Sequence, residues 1–238
     1  MTMQPQTKAR AGNRPHYHGH RKRLRERFLK AGFAGFAEHE VLELLLTLAI
    51  PRRDTKPAAK ALLARFGTLR GALDAPIEEL RTVAGVGEVA ATSLAMVQGV
   101  AAVYLQQATE QAEPSQTTER LLDFWRLRIG SLMNEVFEVA FLDTAHRLLP
   151  NGVQRMQEGT VDRAAVYPRR IVEGALRRSA AALVLAHNHP SGNVNPSDRD
   201  KLITRAIVLA ADTVELRVLD HVIVSSTTTF SFRNAGLL

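Results

Sequence analysis

The sequence predicts an α+β protein in which an all-helical N-terminal domain precedes a mixed-sheet α/β domain. Three observations lead there. From Arg21 to about Gln106 the apolar residues recur at helical spacing. A segment rich in Gln, Ala, Pro and Ser, Glu110 to Thr118, then breaks the pattern. Beyond it, strand-length apolar runs alternate with two longer amphipathic stretches, as in a sheet with helices packed on it. The expected organisation is a disordered basic arm at 1–20, a helical domain at 21–109, a linker at 110–118 and a sheet domain at 119–238. A chain of 238 residues suffices for one small and one larger domain.

The arm mixes Gln, Pro, Gly, Arg and His without apolar periodicity. His16, His18 and His20 have no scaffold to hold them on one ion. Residues 1–30 hold nine Lys or Arg against one Glu, whereas residues 31–116 are net −3 and residues 117–238 net +2. The excess behind the chain's +7 therefore sits at the N-terminus, where Arg21, Lys22, Arg23, Arg25 and Arg27 are candidate contacts to phosphates of DNA. A solvated tail has the same composition.

The first helix begins at Arg21 and a second runs from Glu38 to Leu48, ended by Pro51. In the loop Pro51-Arg-Arg-Asp-Thr-Lys56, Asp54 or Thr55 is placed to cap a helix reaching Phe66. Short helices follow at Leu69–Leu73 and Ile77–Thr82. Leu80, Val83, Gly85, Val86, Gly87, Ala91 and Leu94 then fit a helix-hairpin-helix pattern, its second helix running toward Gln106. Glycines at 85 and 87 let the backbone approach a phosphate closely, with bare amides and the helix dipole aimed at it. A tight turn needs glycines too, and Glu88 is acidic where a phosphate would lie.

In the second domain the pattern predicts a helix at Leu121–Leu132 and a strand at Glu135–Leu142. Further strand-like runs lie near His146–Val153, Gln157–Asp162, Ala181–Ala186, Glu215–Ser225 and Thr229–Phe232, with helices at Arg170–Ser179 and Ser197–Asp212. The absence of cysteine excludes disulfides and thiolate nucleophiles, and leaves His, Asp and Glu to build any metal site. Apolar runs such as Val41–Ile50 and Ala180–Ala186 are too short to span a bilayer, and no cleavable apolar segment precedes them. A soluble cytoplasmic protein without a membrane partner is expected.

The chemistry concentrates between Leu185 and Asp200. His187 and His189 stand two apart at the end of an apolar strand, so both imidazoles project from one side. A turn-rich loop from Pro190 to Pro196 leads to Ser197, which opens a helix whose first turn carries Asp200. Two His and one Asp leave a tetrahedral zinc ion, one per chain, a fourth position for water. Ser197-Asp-Arg-Asp200 also fits a helix capping box with Asp for the usual Glu, and the two roles are compatible. The literal His187-Asn188-His189 tripeptide is no sign of an HNH nuclease, whose motif residues are dispersed over a hairpin and a helix.

His-x-His, seven residues, then Ser-x-x-Asp resembles the metal motif of JAMM (MPN-type) metallopeptidase domains. Pro168-Arg169, Ala180 to Gly192, and Asp220, His221, Ile223 and Val224 resemble the RadC family in particular. So do Arg23-Leu-Arg-Glu-Arg-Phe28, Glu40-Val-Leu-Glu-Leu-Leu-Leu46 and Pro51-Arg-Arg-Asp-Thr-Lys56 upstream. Arg170 departs from that family's Pro-Arg-Glu. The resemblance implies a JAMM-type sheet domain and a catalytic Glu on an earlier strand. Glu135 matches it in order and context, while Glu138, three residues on, points to the opposite face. It further implies that Glu135 is the general base, that Ser197 assists charge stabilisation, and that the substrate is a peptide or isopeptide. The alternative is a DNA-binding accessory protein or metallonuclease in DNA repair, recombination or uptake.

Overall fold

The computed structural model describes residues 19–159 and 166–238. The arm, including Lys8, Arg10, Arg14, His16 and His18, lies outside the described residues, as does the end of the run expected to reach Asp162. The chain divides into two compact units, Met1–Val97 and Gln98–Leu238.

The first unit holds α1 (His20–Ala31), α2 (Glu38–Ala49), α3 (Lys56–Phe66), α4 (Leu69–Asp74), α5 (Ile77–Arg81) and the start of α6 (Glu88–Glu110). Glu38 and Glu40 favour the N-terminal end of α2 by complementing its dipole. Thr55 occupies the N-cap position of α3 but its hydroxyl donates to the Glu43 carbonyl, and it is Asp54, one residue earlier, whose Oδ1 accepts the Lys56 N–H at 3.0 Å. Leu42, Leu46, Ala58, Leu62, Leu80, Val83, Val86, Ala91 and Leu94 form one buried cluster. It includes the apolar positions expected of a helix-hairpin-helix, each large side chain adding about 1.5–3 kcal/mol on burial.

The second unit differs from the expectation at its entry. Residues 110–118 are no extended linker: Pro114–Gln116 form a 3-10 turn, Thr117 opens α7 (Thr117–Arg128), and Ala112 and Thr117 are buried. Leu105 packs on the cluster that contains Leu121 and Phe124, and the Glu110 carboxylate accepts the Asn151 N–H, which ties this stretch to the sheet. α7 also stops four residues early, and Gly130 just beyond it lies so close to the Ser225 carbonyl oxygen that a Cβ there would sit 2.6 Å from it. Among the described helices, α6 has the length and composition to cross a bilayer, against the expectation that no segment would. It contributes Ala90, Ala91 and Leu94 to the core of the first unit, and Ala102 is buried as well.

The sheet comprises β1 (Glu135–Leu142), β2 (Leu148–Gly159), β3 (Ala182–Asn188), β4 (Arg217–Val224) and β5 (Thr229–Ser231), in the order β2-β1-β3-β4-β5. Only β3 and β4 are parallel among these pairs, joined by α9 (Asp198–Asp212). α8 (Pro168–Arg177) precedes β3. The two runs expected near 146–153 and 157–162 are one strand, β2. Phe137 pairs with Gln157 and Glu138 with Arg155, so Met156 is an extra residue that breaks the alternation.

Side chains alternate between two buried faces. Val136, Ala140, Ala182, Val184, Ala186, Val222 and Val224 pack with Leu121, Phe124 and Trp125 of α7. Phe137, Val139, Phe141, Leu183 and Leu185 pack with Ile171 and Ala175 of α8 and with Ile207 and Ala211 of α9. The odd-numbered ends of β1 and β3, which carry Glu135 and His187, therefore share the face covered by α9.

Candidate metal centre

His187 and Asp200 are buried and His189 is nearly so, and their ligand atoms all lie within 4.8 Å of one another. His187 Nε2 and His189 Nε2 are 3.0 Å apart. Asp200 Oδ1 is 3.3 Å from the first and Oδ2 is 3.4 Å from the second. The Asn193 carbonyl, an acceptor only, meets His189 Nδ1 at 2.6 Å, so Nδ1 carries the hydrogen and Nε2 is the ligating atom. Two nitrogens on one tetrahedral ion, each at about 2.0–2.1 Å, stand about 3.3 Å apart, so this donor set fits a metal ion after a shift of tenths of an ångström.

The loop geometry follows from local chemistry. Ser197 is the N-cap of α9: its Oγ accepts the Asp200 N–H at 3.2 Å, and Asp200 Oδ2 accepts the Ser197 N–H at 2.7 Å. The Ser197 hydroxyl hydrogen is also turned onto Asp200 Oδ2, at 2.7 Å. The capping box thus aims the carboxylate at the imidazoles. Burial alone would raise the Asp200 carboxyl, but the adjoining imidazoles of His187 and His189 and the Ser197 hydroxyl outweigh it and hold it well below the usual carboxylate range. His189 is raised, chiefly by its hydrogen bond to Asp200, against a smaller opposing effect of burial; the Asn193 carbonyl and the charges of Asp200 and Glu135 add to the rise.

Glu135 reaches this centre from β1. It lines, with Phe137, Gln157, Val166, Arg199, Asp200, Leu202, Ile203 and Ala206, a cavity of about 360 Å³ beside the carboxylate. Glu138 lies on the other face, fully buried, where it accepts from Trp125 Nε1 at 3.2 Å, Arg128 Nε at 3.0 Å and Arg155 Nε at 3.1 Å. That alternation removes it as a rival for the site.

Asn188 was missed as a functional residue. Its side chain, fully buried, points away from the two imidazoles. Nδ2 donates to the Leu132 and Asn134 carbonyls, and Oδ1 accepts the Val136 N–H at 2.8 Å. The residue between the His pair thereby fixes the backbone on both sides of Glu135. Period-two alternation, already used for the His pair, was the signal that could have identified it.

The residues singled out for nucleic acid separate into two groups. Arg21 donates to the Pro51 carbonyl at 2.7 Å and to the Arg53 carbonyl, and Arg27 pairs with Glu40 at 2.6 Å, so both hold the first unit together. Lys22, Arg23 and Arg25 are exposed, Lys22 lying 3.8 Å from Glu26. Gly85 has φ +86° and a Cβ there would crowd Ala58, so its fold explains it. Gly87 has open space where a Cβ would be, and its carbonyl accepts the Ala91 N–H as α6 begins. Pro51, Arg52, Arg53, Arg81 and the Gly85-Val86-Gly87 hairpin line a concave surface of about 920 Å³. Arg52, Arg53 and Arg81 were not among the expected contacts, because their meeting depends on how α2, α5 and the hairpin pack.

A mixed sheet with this His-His-Asp group at the junction of β3 and α9 is consistent with a JAB domain, the JAMM or MPN type. Residues 115–237 match the RadC-like JAB domain family, and residues 18–92 match the UPF0758 N-terminal family. The chain belongs to the RadC family.

Proposed function

We propose that the second unit is a zinc-dependent hydrolase cleaving a peptide or isopeptide bond. The observation that supports this best is that two imidazoles and a carboxylate converge beside a cavity that Glu135 shares with Asp200. Bound zinc would supply Lewis acidity toward a water molecule and the substrate carbonyl. His187, His189 and Asp200 would hold the ion, and Glu135 would take the proton of the attacking water and return it to the leaving amine. Ser197 keeps Asp200 aligned, and its proposed contact with the oxyanion requires its hydroxyl to turn from the carboxylate. Phe137, Val166, Leu202, Ile203 and Ala206 give the adjoining cavity an apolar lining suited to a substrate side chain. Zinc-loaded protein incubated with peptide, isopeptide and DNA substrates is expected to cleave an amide bond. Cleavage of DNA alone would replace this reading with a metallonuclease.

The raised His189 imidazole gives a pH test. His189 is raised above the ordinary imidazole value of 6.5, chiefly by its hydrogen bond to Asp200, so a metal competes with a proton there to a higher pH than at a free imidazole. Metal affinity is expected to fall about tenfold per unit as pH drops below the raised value, and to level off above it. In the metal-free protein the sign is opposite: the raised value stabilises the fold fully below pH 6.5, and this is lost as pH rises through the raised value. A zinc affinity that does not change between pH 5.5 and 8, measured by competition with a chelator, would contradict the assignment of His189.

A second reading concerns the first unit, and the concave surface carrying Arg52, Arg53 and Arg81 beside the open Gly87 favours it. We propose that this surface contacts the phosphates of DNA, without base readout. Replacing the three arginines with Ala should weaken binding at low salt and lower the salt-dependence slope by about one unit per lost phosphate contact. Fluorescence anisotropy on duplex DNA at several salt concentrations measures this. An unchanged slope, or no binding by the parent at low salt, would remove the surface from consideration.

A further inference from the structure

Behind the metal ligands lies a chain of hydrogen bonds whose direction can be worked out from one end. The Asp200 backbone carbonyl lies 2.5 Å from Thr204 Oγ1, and a carbonyl can only accept, so the Thr204 hydroxyl hydrogen is committed to it. Thr204 Oγ1 is also 2.6 Å from His221 Nδ1. With its own hydrogen spent, the hydroxyl accepts, so His221 Nδ1 carries a hydrogen. His221 is fully buried within β4, between the ring of Phe232, stacked at 4.7 Å, and that of Phe137 at 5.4 Å. Its two ring nitrogens meet a hydroxyl and an imidazole and no carboxylate, and a charge buried without one is costly, so the ring keeps its single hydrogen on Nδ1 and its Nε2 is bare. That bare Nε2 is 2.9 Å from His187 Nδ1, which must therefore donate. The remaining nitrogen of His187, Nε2, is then left with a lone pair directed at His189 and Asp200.

We propose that His221 and Thr204 are positioning residues of the metal centre, which fix His187 in the tautomer that ligates through Nε2. The inference rests on the metal reading above and adds two residues that touch neither the ion nor the substrate. The chain begins at the backbone of one ligand, Asp200 on α9, and ends at the ring of another, His187 on β3, by way of β4. It therefore links ligands from two elements through a single set of proton positions. A ligating imidazole whose second nitrogen loses its partner ordinarily costs 10- to 100-fold in metal affinity.

The test compares the parent with Thr204→Val and Thr204→Ser, using zinc alone in competition with a chromophoric chelator, and reads the His187 ring nitrogens by two-bond nitrogen-15 correlation spectra. Valine keeps the shape of threonine but cannot accept from His221, which is then free to turn its hydrogen toward His187. Thr204→Val is expected to lose about 10- to 100-fold in zinc affinity and to show hydrogen on His187 Nε2 in the metal-free state. Thr204→Ser is expected to restore both to parental behaviour. Should Thr204→Val not fold, the parent still decides: hydrogen on Nε2 of neutral His187 in the metal-free parent would overturn the proposal. Parental zinc affinity and tautomer in a folded Thr204→Val variant would overturn it while leaving the metal site standing. Failure of the parent to bind zinc at all would overturn both.

Discussion

Replacement of Glu135 by Gln is expected to leave zinc binding near one ion per chain while hydrolysis falls by at least ~10²-fold, the lower end of what general acid-base groups contribute. Gln keeps the length and shape of Glu, so the cavity beside Asp200 keeps its walls. It has no carboxylate to take a proton. The metal ligands come from β3 and α9, whereas Glu135 stands at the start of β1, which is why ligation and proton transfer can be separated by one substitution. Zinc content by elemental analysis and turnover of the best amide substrate measure the two quantities on one sample. Undiminished turnover would move the base elsewhere, and loss of the metal would make Glu135 a ligand.

The division between the two carboxylates on β1 was legible in the sequence because strand alternation is a short-range rule. Glu135 and Glu138 stand an odd number of residues apart, and the sheet is covered on both faces, so one meets α9 and the other α7. The same rule placed His187 and His189 together, and the capping pattern placed Asp200 on the first turn of α9. The helices of the first unit were equally readable, since Pro51, Gly67 and the apolar positions of the hairpin punctuate them locally.

What escaped the sequence depends on contacts between distant segments. The stretch from Glu110 to Thr118 has linker composition, yet it is ordered because Glu110 meets Asn151 and Thr117 is buried at the start of α7. β2 was divided in two by the extra residue at Met156, which alternation alone cannot accommodate. The roles of His221 and Thr204 needed the parallel pairing of β4 with β3, which sets Leu185 beside His221 and brings the ring up to His187. The basic residues divided for the same reason: Arg21 and Arg27 look like Arg23 and Arg25 in sequence, but packing gives the first pair carbonyl and carboxylate partners.

The opposite face of β1 offers the other large effect. Glu138→Ala is expected to destabilise the second unit by about 3 kcal/mol, the lower end of the cost of removing one member of a buried ion pair. The carboxylate, fully buried, is an acceptor for two guanidinium groups and the Trp125 indole N–H. Removing it leaves like charges facing each other over a void. Arg128 and Arg155 are each about one-third exposed, at 34% and 32%, so water can rehydrate them, which is why the lower end applies. Trp125 is the only tryptophan in the chain, so its fluorescence during urea unfolding follows the unit in question. Simultaneous replacement of Glu138, Arg128 and Arg155 by apolar residues of similar volume should recover much of the loss, because the desolvation cost of all three charges then disappears as well. Since the cluster packs against α7 and the metal ligands lie under α9, folded Glu138→Ala protein should bind zinc as the parent does. A loss below about 1 kcal/mol would mean that the two arginines are held chiefly by other partners, and weakened zinc binding would mean that the two faces of β1 are coupled.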